Sequence, residues 1–143
     1  MSTEKTTLKC HIGTGEKVTG EALVANDNFS ARYDLDRTEG VFSRPQHKLY
    51  GESYVDKILV VNTAKGGVAS AWMLYEMVSR NLAPKAILFN RVNPILTQGT
   101  AFANLTMCDR FECGDITTLI NTGDSVTVDP EKGLVTVVPA LVE

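Results

Sequence analysis

Few residues of the kind that usually carry metal or redox chemistry occur in this sequence. It holds three cysteines, two histidines and one tryptophan among 143 residues. So small and odd a number of cysteines argues against a disulfide framework and fits a reducing compartment, so the cytoplasm is the expected location. Cys108 and Cys113 stand close enough in the chain to share a metal, but only two histidines are available to complete a zinc site. We therefore assign no metal ligand to this chain.

Several familiar functional patterns are also absent. The sequence has no G-x-x-x-x-G-K-[ST] loop, no G-x-G-x-x-G after a strand, no H-E-x-x-H and no C-x-x-C. No apolar run approaches the length of a membrane span, and residues 1–5 do not begin a signal peptide. The basic residues are scattered and the net charge is −3, which argues against a nucleic-acid-binding surface. We therefore expect neither a membrane nor a nucleic acid as a partner.

The composition is that of an ordinary globular protein. Hydrophobic residues make up 43% of the chain and charged residues 22%. A chain of 143 residues is long enough to bury a core without disulfides or metals, so we expect residues 1–143 to form one domain.

The stretch from Lys57 to Arg80 is the centre of the predicted fold. Ile58 to Val61 is a short β-branched and aliphatic run, which predicts a buried strand. Gly66 and Gly67 follow, and then Val68, Trp72, Tyr75 and Met77 or Ser79 recur at helical spacing. This predicts a helix with these residues on its apolar face and Glu76 and Arg80 on its solvent face.

Such a strand, turn and helix can bind an anion at the glycine turn. The first N–H groups of a helix are unpaired, glycine lets a ligand approach the backbone, and the helix dipole favours negative charge. Lys65 adds a positive charge next to the turn. The alternative is a tight connection between strand and helix that needs two glycines for its geometry alone.

The rest of the chain predicts β structure at both ends. Residues 7–25 read as a first β region, and residues 26–56 as a long polar segment that is either functional or a set of solvated turns. Ala86 to Phe89 predicts a strand parallel to the central one, and Asn93-Pro94 predicts the start of a helix that ends near Phe102. Thr106 to Cys108 predicts a third strand. Residues 121–138 alternate at period two around a turn at residues 130–133, which predicts a β-hairpin.

Three stretches in this order, Pro45 to Gly51, Lys57 to Val60 and Lys65 to Ser70, resemble the aconitase X swivel domain. That family continues with a helix, an Ala-Pro-x-Ala-Ile-like strand entry and a helix of small residues. Leu82 to Ile87 match the strand entry, and Ile95 to Ala103 match the helix of small residues. The likeness extends over roughly residues 18–138.

The resemblance implies an α/β fold, namely a swivelling β/β/α domain, aconitase swivel-like, with βαβ units and a C-terminal β-hairpin. Such a domain closes over the active site of a larger aconitase-like catalytic subunit, which is expected here as a separate partner. The resemblance also implies an iron or iron–sulfur cluster, bound by the partner subunit and not by this chain alone.

One departure from the family concerns its serine-rich turn, in which a serine is the proposed catalytic base. The matching serines fall at Gly66 and Gly67 in this sequence, and only the last serine remains, as Ser70. Either Ser70 or a residue of the partner therefore supplies the base, or this chain serves a different reaction.

The function that the resemblance implies is the small subunit of an aconitase X-type hydro-lyase. Such an enzyme dehydrates a hydroxy acid, for example cis-3-hydroxy-L-proline or mevalonate 5-phosphate, by removing a proton near a carboxylate. Ser70 is the candidate catalytic residue. The candidate contacts to the small anionic substrate are Lys65, Gly66, Gly67 and Val68, with Arg32, Arg44 and His47 from the polar segment.

Two alternatives remain open from the sequence. The chain could be a non-catalytic anion- or metabolite-binding protein that retains the swivel fold but has lost the serine chemistry. It could also be a phosphohistidine carrier, which requires an exposed histidine in a mobile loop, and only His47 could serve.

Overall fold

The computed structural model describes residues 5–31, 33–65 and 67–140. The strands are β1 (Thr6–Lys9), β2 (Val18–Val24), β3 (Leu35–Asp36), β4 (Val41–Phe42), β5 (Ile58–Thr63), β6 (Ala86–Arg91), β7 (Thr106–Cys108), β8 (Ser125–Asp129) and β9 (Leu134–Val138). The helices are α1 (Val68–Ser79), α2 (Pro94–Phe102) and α3 (Ile116–Leu119).

Seven of the strands form one mixed sheet in the order β1-β9-β8-β2-β5-β6-β7. β2, β5, β6 and β7 run parallel, while β1, β9, β8 and β2 pair antiparallel. β2 belongs to both halves, because its first residues pair with β8 and its last with β5. The parallel pairing of β5 with β6 and the β8–β9 hairpin are both as the sequence predicts.

The sheet curls until its two edges meet. Beyond β1, the chain runs to Thr14, whose N–H donates to the carbonyl of Met107 on β7 at 3.0 Å and whose carbonyl accepts from the Met107 N–H at 3.1 Å. The two backbones approach so closely that a Cβ on Gly13 would lie 1.9 Å from the Met107 carbonyl oxygen. Glycine at position 13 therefore permits the closure.

Two hydrophobic cores lie on opposite faces of this curved sheet. β5 is apolar on both faces, as expected for a central parallel strand. Its residues Ile58 and Val60 pack inside the curl with residues of β8 and β9. Leu59 and Val61 face outward and pack against α1, α2 and the segment between β2 and β5. A layer of helices thus covers one face of the parallel strands.

The segment between β2 and β5 is largely irregular but carries part of the core. In its described residues, 25–31 and 33–57, it contains only the short strands β3 and β4, consistent with a loop-rich prediction. However, Phe29, Phe42 and Tyr54 are fully buried beneath the helices. These apolar residues anchor the segment and hold its polar side chains in fixed positions.

α1 forms where the sequence predicts it, but it buries a different face. Ser70, Leu74 and Met77 point inward at positions i, i+4 and i+7. Val68, Trp72 and Tyr75, which were expected on the buried face, are 62%, 59% and 43% exposed. That expectation is wrong because two apolar stripes share this helix, and the smaller and more flexible side chains fit the space above the sheet.

α2 begins as predicted at Asn93, whose side-chain oxygen accepts a hydrogen bond from the N–H of Leu96 at 2.8 Å, with Pro94 in the first turn. α1 and α2 pack closely because Gly99 has no side chain, and a Cβ there would lie 2.6 Å from the Cβ of Ala71. Among the described residues, no helix has the length and apolar character needed to cross a membrane.

Candidate functional site

The carboxyl ends of β2 and β5 lie side by side and bring polar residues together. After β2 the chain passes along β5, so that the N–H of Phe29 donates to the carbonyl of Thr63 and the N–H of Lys65 donates to the carbonyl of Phe29. The Asn28 side chain accepts from the Thr63 hydroxyl. Asn28 and Lys65 are therefore neighbours at the edge of the parallel sheet where ligand sites form in α/β proteins.

A cavity of about 330 Å³ opens at this edge. Its size is within the range of small-molecule sites. Its walls are formed by the polar residues Asp27, Asn28, Ser30, Tyr33, Asp34, Arg44 and Lys65. The cavity thus contains two of the predicted substrate contacts, Arg44 and Lys65.

Arg44 is held in place by a buried carboxylate. Its Nε donates to Oδ1 of Asp34 at 2.5 Å, and Asp34 is 3% exposed. Oδ2 of Asp34 accepts from the Ser30 N–H at 2.8 Å, so both carboxylate oxygens are used. The terminal Nη groups of Arg44 make no hydrogen bond to the described residues, and they can donate in pairs to an anionic ligand.

Lys65 differs from Arg44 in being exposed and unpaired within the described ranges. Its ammonium group can therefore turn toward an anion in the cavity without breaking an existing ion pair.

His47 is buried beside the cavity rather than open to it. It is 3% exposed and stacks on Phe42 with ring centroids 4.6 Å apart. Its Nδ1 accepts from the Leu49 N–H at 3.1 Å, so the ring proton lies on Nε2, which donates to the carbonyl of Asn28 at 2.7 Å. His47 thus positions Asn28, and its burial removes the exposure that a phosphohistidine carrier requires.

Asp27 fixes the polar segment at the rim of the cavity. Its carboxylate accepts from the N–H groups of Asn28 at 2.8 Å and Lys48 at 3.1 Å. Burial by itself raises the pKa of Asp27, but these hydrogen bonds, with His47 and Arg44 nearby, outweigh burial and bring that pKa below its ordinary value. Asp27 is therefore ionised at neutral pH.

The start of α1 lies next to the cavity, and the predicted site residues on it take different positions. Gly67 is the N-cap of the helix. Among the described residues, no side chain caps the helix and nothing lies within 4 Å of a Cβ placed on Gly67. Val68 is exposed, whereas Ser70 is 2% exposed and points inward. Neither residue lines the cavity with Arg44 and Lys65. Gly66 and Arg32 lie outside the described residues.

Sequence reasoning did not single out Asp27, Asn28, Ser30 or Tyr33 as site residues. The parallel pairing of β2 with β5 places residues 27 and 28 beside Lys65, and the sequence does not show this pairing. The apolar end of β2, Ala22 to Val24, is the only trace of it in the sequence, and such a short run does not reveal its partner.

An iron centre does not fit the residues of this chain that the structure describes. In residues 5–31, 33–65 and 67–140, no three His, Cys, Asp or Glu side chains converge as a metal site would require. The cysteines Cys10, Cys108 and Cys113 are free thiols.

Comparison with known proteins adds three kinds of similarity. The family model of the aconitase X swivel domain matches residues 7–137. The phosphomevalonate dehydratase small subunits of Methanocella arvoryzae and Methanococcoides burtonii are 30% and 32% identical over 128 residues, which is 90% of this chain and 96% and 93% of theirs. The crystal structure of Thermococcus kodakaraensis aconitase X in its holo-form superimposes with a TM-score of 0.85 at 27% identity, covering 93% of this chain and 98% of that one. A UPF0107 protein solved by NMR gives a TM-score of 0.80, also at 27% identity, over 96% of this chain and all of its own.

Proposed function

This chain belongs to the aconitase X swivel domain family, and from that premise we propose that it is the small subunit of a dehydratase acting on mevalonate 5-phosphate. The phosphomevalonate dehydratase small subunits that resemble it support this substrate over cis-3-hydroxy-L-proline. Because those relatives are small subunits of nearly the same length, a larger catalytic subunit is the partner.

The observation that carries the proposal is the cavity at the carboxyl ends of β2 and β5, with Arg44 and Lys65 in its walls. The Nη groups of Arg44 match the paired oxygens of a phosphate or carboxylate, and Asp34 holds the guanidinium in that orientation. Lys65 adds a mobile positive charge. A substrate with a phosphate at one end and a carboxylate at the other suits two separate positively charged side chains.

The role of this chain in the reaction is to bind and orient the substrate. Dehydration removes a proton from the carbon next to the carboxylate and hydroxide from the neighbouring carbon. The N–H groups of Gly67 and Val68 contribute further hydrogen bonds to an anionic group of the substrate. The buried position of Ser70 favours a base supplied by the larger subunit. We also assign the family's iron or iron–sulfur cluster to that subunit.

The test is turnover by the complex of this chain with the larger subunit from the same source, prepared without oxygen. We expect loss of water from mevalonate 5-phosphate, detected by mass spectrometry, and none from cis-3-hydroxy-L-proline. Arg44→Ala should lower kcat/KM by at least about tenfold, while Arg44→Lys retains part of it. A complex that dehydrates hydroxyproline instead, or neither compound, overturns the proposal.

A non-catalytic anion-binding protein is the second candidate. It is favoured by one observation, the glycines at the positions of two family serines. Such a protein would bind mevalonate 5-phosphate or inorganic phosphate by itself, and Arg44→Ala would abolish that binding. Gly67→Ser separates the two functions, because added turnover can appear only in a catalytic complex.

A further inference from the structure

Three aromatic rings stand together on the outer surface of α1 and α2. The centroids of Trp72 and Phe102 are 5.8 Å apart, those of Tyr75 and Phe102 5.1 Å, and those of Trp72 and Tyr75 6.2 Å. Trp72 is 59% and Phe102 67% exposed. We call these three rings, together with Val68 and Ile95, the aromatic face.

The aromatic face borders a groove between the two helices. The groove has a volume of about 380 Å³, and Val68 and Trp72 form one wall while Ile95 and Phe102 form the other. Gly99 and Ala71 make its floor, where the helices touch. None of the described residues that line it is ionisable. The groove is therefore an apolar surface without charge, formed by side chains that already contact one another.

The size of the aromatic face suits the centre of an interface but not a complete one. Taking about 150–250 Å² for each large aromatic side chain, its exposed apolar area is on the order of 500 Å². That is near the upper end for the surface of a monomer. A stable interface needs about 800 Å² from each partner, so the remaining area must come from an adjoining surface.

The adjoining surface is the substrate cavity. Val68 lines the groove, and Lys65, three residues earlier, lines the cavity. A protein that covers the groove therefore reaches the cavity as well. This is what the larger subunit must do if it supplies the base and the metal to a substrate held by Arg44 and Lys65.

A second copy of this chain fits the aromatic face less well. In a symmetric dimer the same patch meets itself, so the Lys65 side chains of both copies would lie near one interface. Such a dimer would also close the cavity of each copy against the other. The cavity then could not meet a larger subunit.

We propose that the aromatic face is the docking surface for the larger subunit, with Trp72 and Phe102 as its anchor residues. This inference rests on the proposed function for the identity of the partner. Preformed aromatic clusters lose little conformational freedom on binding and often carry most of the affinity of an interface.

The experiment is affinity measurement between this chain and the larger subunit after co-expression. Trp72→Glu and Phe102→Glu should each weaken the complex by at least about tenfold. Ile12→Glu is the matched control, because Ile12 is 75% exposed and lies outside the aromatic face. It should bind like the unchanged chain. Thermal unfolding of the isolated variants shows that each is folded.

A measurement without any substitution gives a second readout. Trp72 is the one tryptophan of the chain, so labelling with 5-fluorotryptophan gives a single fluorine resonance. We expect this resonance to shift and broaden when unlabelled larger subunit is added. An unchanged resonance in a complex that demonstrably forms overturns the docking surface.

The outcomes separate this inference from the proposed function. If both glutamate variants bind as tightly as the Ile12→Glu control, the docking surface is wrong, while turnover by the complex still upholds the dehydratase. If binding depends on Trp72 but the complex does not dehydrate mevalonate 5-phosphate, the proposed function is wrong and the docking surface stands. If the isolated chain is a dimer that Trp72→Glu dissociates, a second copy occupies the face and the inference is overturned.

Discussion

Among the described residues, Tyr54 is the one with a buried side-chain polar atom that makes no hydrogen bond. The residue is fully buried, its hydroxyl has no hydrogen-bond partner there, and burial raises its pKa to about 12. Removing a buried hydroxyl without a partner also removes its desolvation cost. Tyr54→Phe should therefore raise the free energy of unfolding by about 1 kcal/mol.

Denaturant unfolding measures this change. Tyr50→Phe is the control, because Tyr50 is 58% exposed and its hydroxyl is in water. A loss of stability greater than that of the control would mean that the Tyr54 hydroxyl has a partner in solution.

Asp27 is the residue for which pH dependence is predicted. Its pKa is lower in the folded chain than in the unfolded one, so its contribution to stability is complete above the unfolded pKa of about 4 and is lost as the pH falls through the lower, folded pKa. Asp27→Asn should flatten the fall in stability below about pH 4. Unfolding midpoints measured between neutral and acid pH test this, and parallel curves for the two proteins would contradict it.

At the scale of single residues, the sequence indicates which side chains can bind an anion but not where the fold places them. Arg44 and Lys65 were both predicted, and the structure brings them to one cavity. His47 was predicted from its polar neighbours, yet the structure engages both ring nitrogens with backbone groups. Its contact with the substrate stays a prediction. The burial of His47 was not predicted, because it depends on Phe42 and other residues that no local pattern links to it.

Among the helices, the contact between Ala71 and Gly99 sets the distance between α1 and α2. Gly99→Ala places a methyl group 2.6 Å from the Ala71 Cβ, so the helices must separate. We expect a loss of about 1–3 kcal/mol in the free energy of unfolding, as for other overpacked sites.

The reciprocal exchange provides the control for this contact. Ala71→Gly with Gly99→Ala restores the close approach, and the double variant should be more stable than Gly99→Ala alone. A double-mutant cycle with chemical denaturation gives the coupling between the two positions. Strict additivity of the two changes would contradict a shared steric cause.

The elements themselves were largely predictable, but the orientation of α1 was not. The starts of β5 and β6, the Asn93 cap and the β8–β9 hairpin follow from local patterns, and the structure confirms them. β5 and β6 both extend two residues beyond their predicted ends, to Thr63 and Arg91. α1 carries one stripe with Leu74 and Met77 and another with Trp72 and Tyr75. Hydrophobicity alone favoured the aromatic stripe as the buried one, and only the space above the sheet decides between them.

For the whole molecule, the closure of the sheet at Thr14 and Met107 is the feature with the least steric tolerance. Gly13→Ala would bring a methyl group to 1.9 Å from the Met107 carbonyl oxygen, and the backbone must move to admit it. We expect a loss of about 3 kcal/mol or more, at the upper end for overpacking.

Hydrogen exchange and denaturant unfolding together test the closure. Gly13→Ala should lose protection at the amides of Thr14 and Met107, which are bonded to each other across it. Gly67→Ala is the control, because a Cβ there has open space. Equal stability of the two variants would show that the sheet does not need its edges joined.

The fold class was identified from the resemblance, and both the family match and the solved structures confirm it. The closure itself was not predicted. The Thr14 hydroxyl donates to the carbonyl of Leu105, a residue 91 positions away, and no periodicity in the sequence encodes a contact over that distance. The two edges of the sheet meet only when the sheet is assembled, so local sequence patterns do not predict their contact.

The pairing of the first strand with the last also determines the order in which the chain can fold. Within residues 5–140, as far as the structure describes them, β1 pairs only with β9, and β9 is the last strand. During synthesis the parallel strands and their helices can form early, because they are local to one another, but β1 must wait until residue 138 has been made. The pairing of β1 with β9 is therefore a late step of folding, and the long chain separation that it spans makes it a slow one.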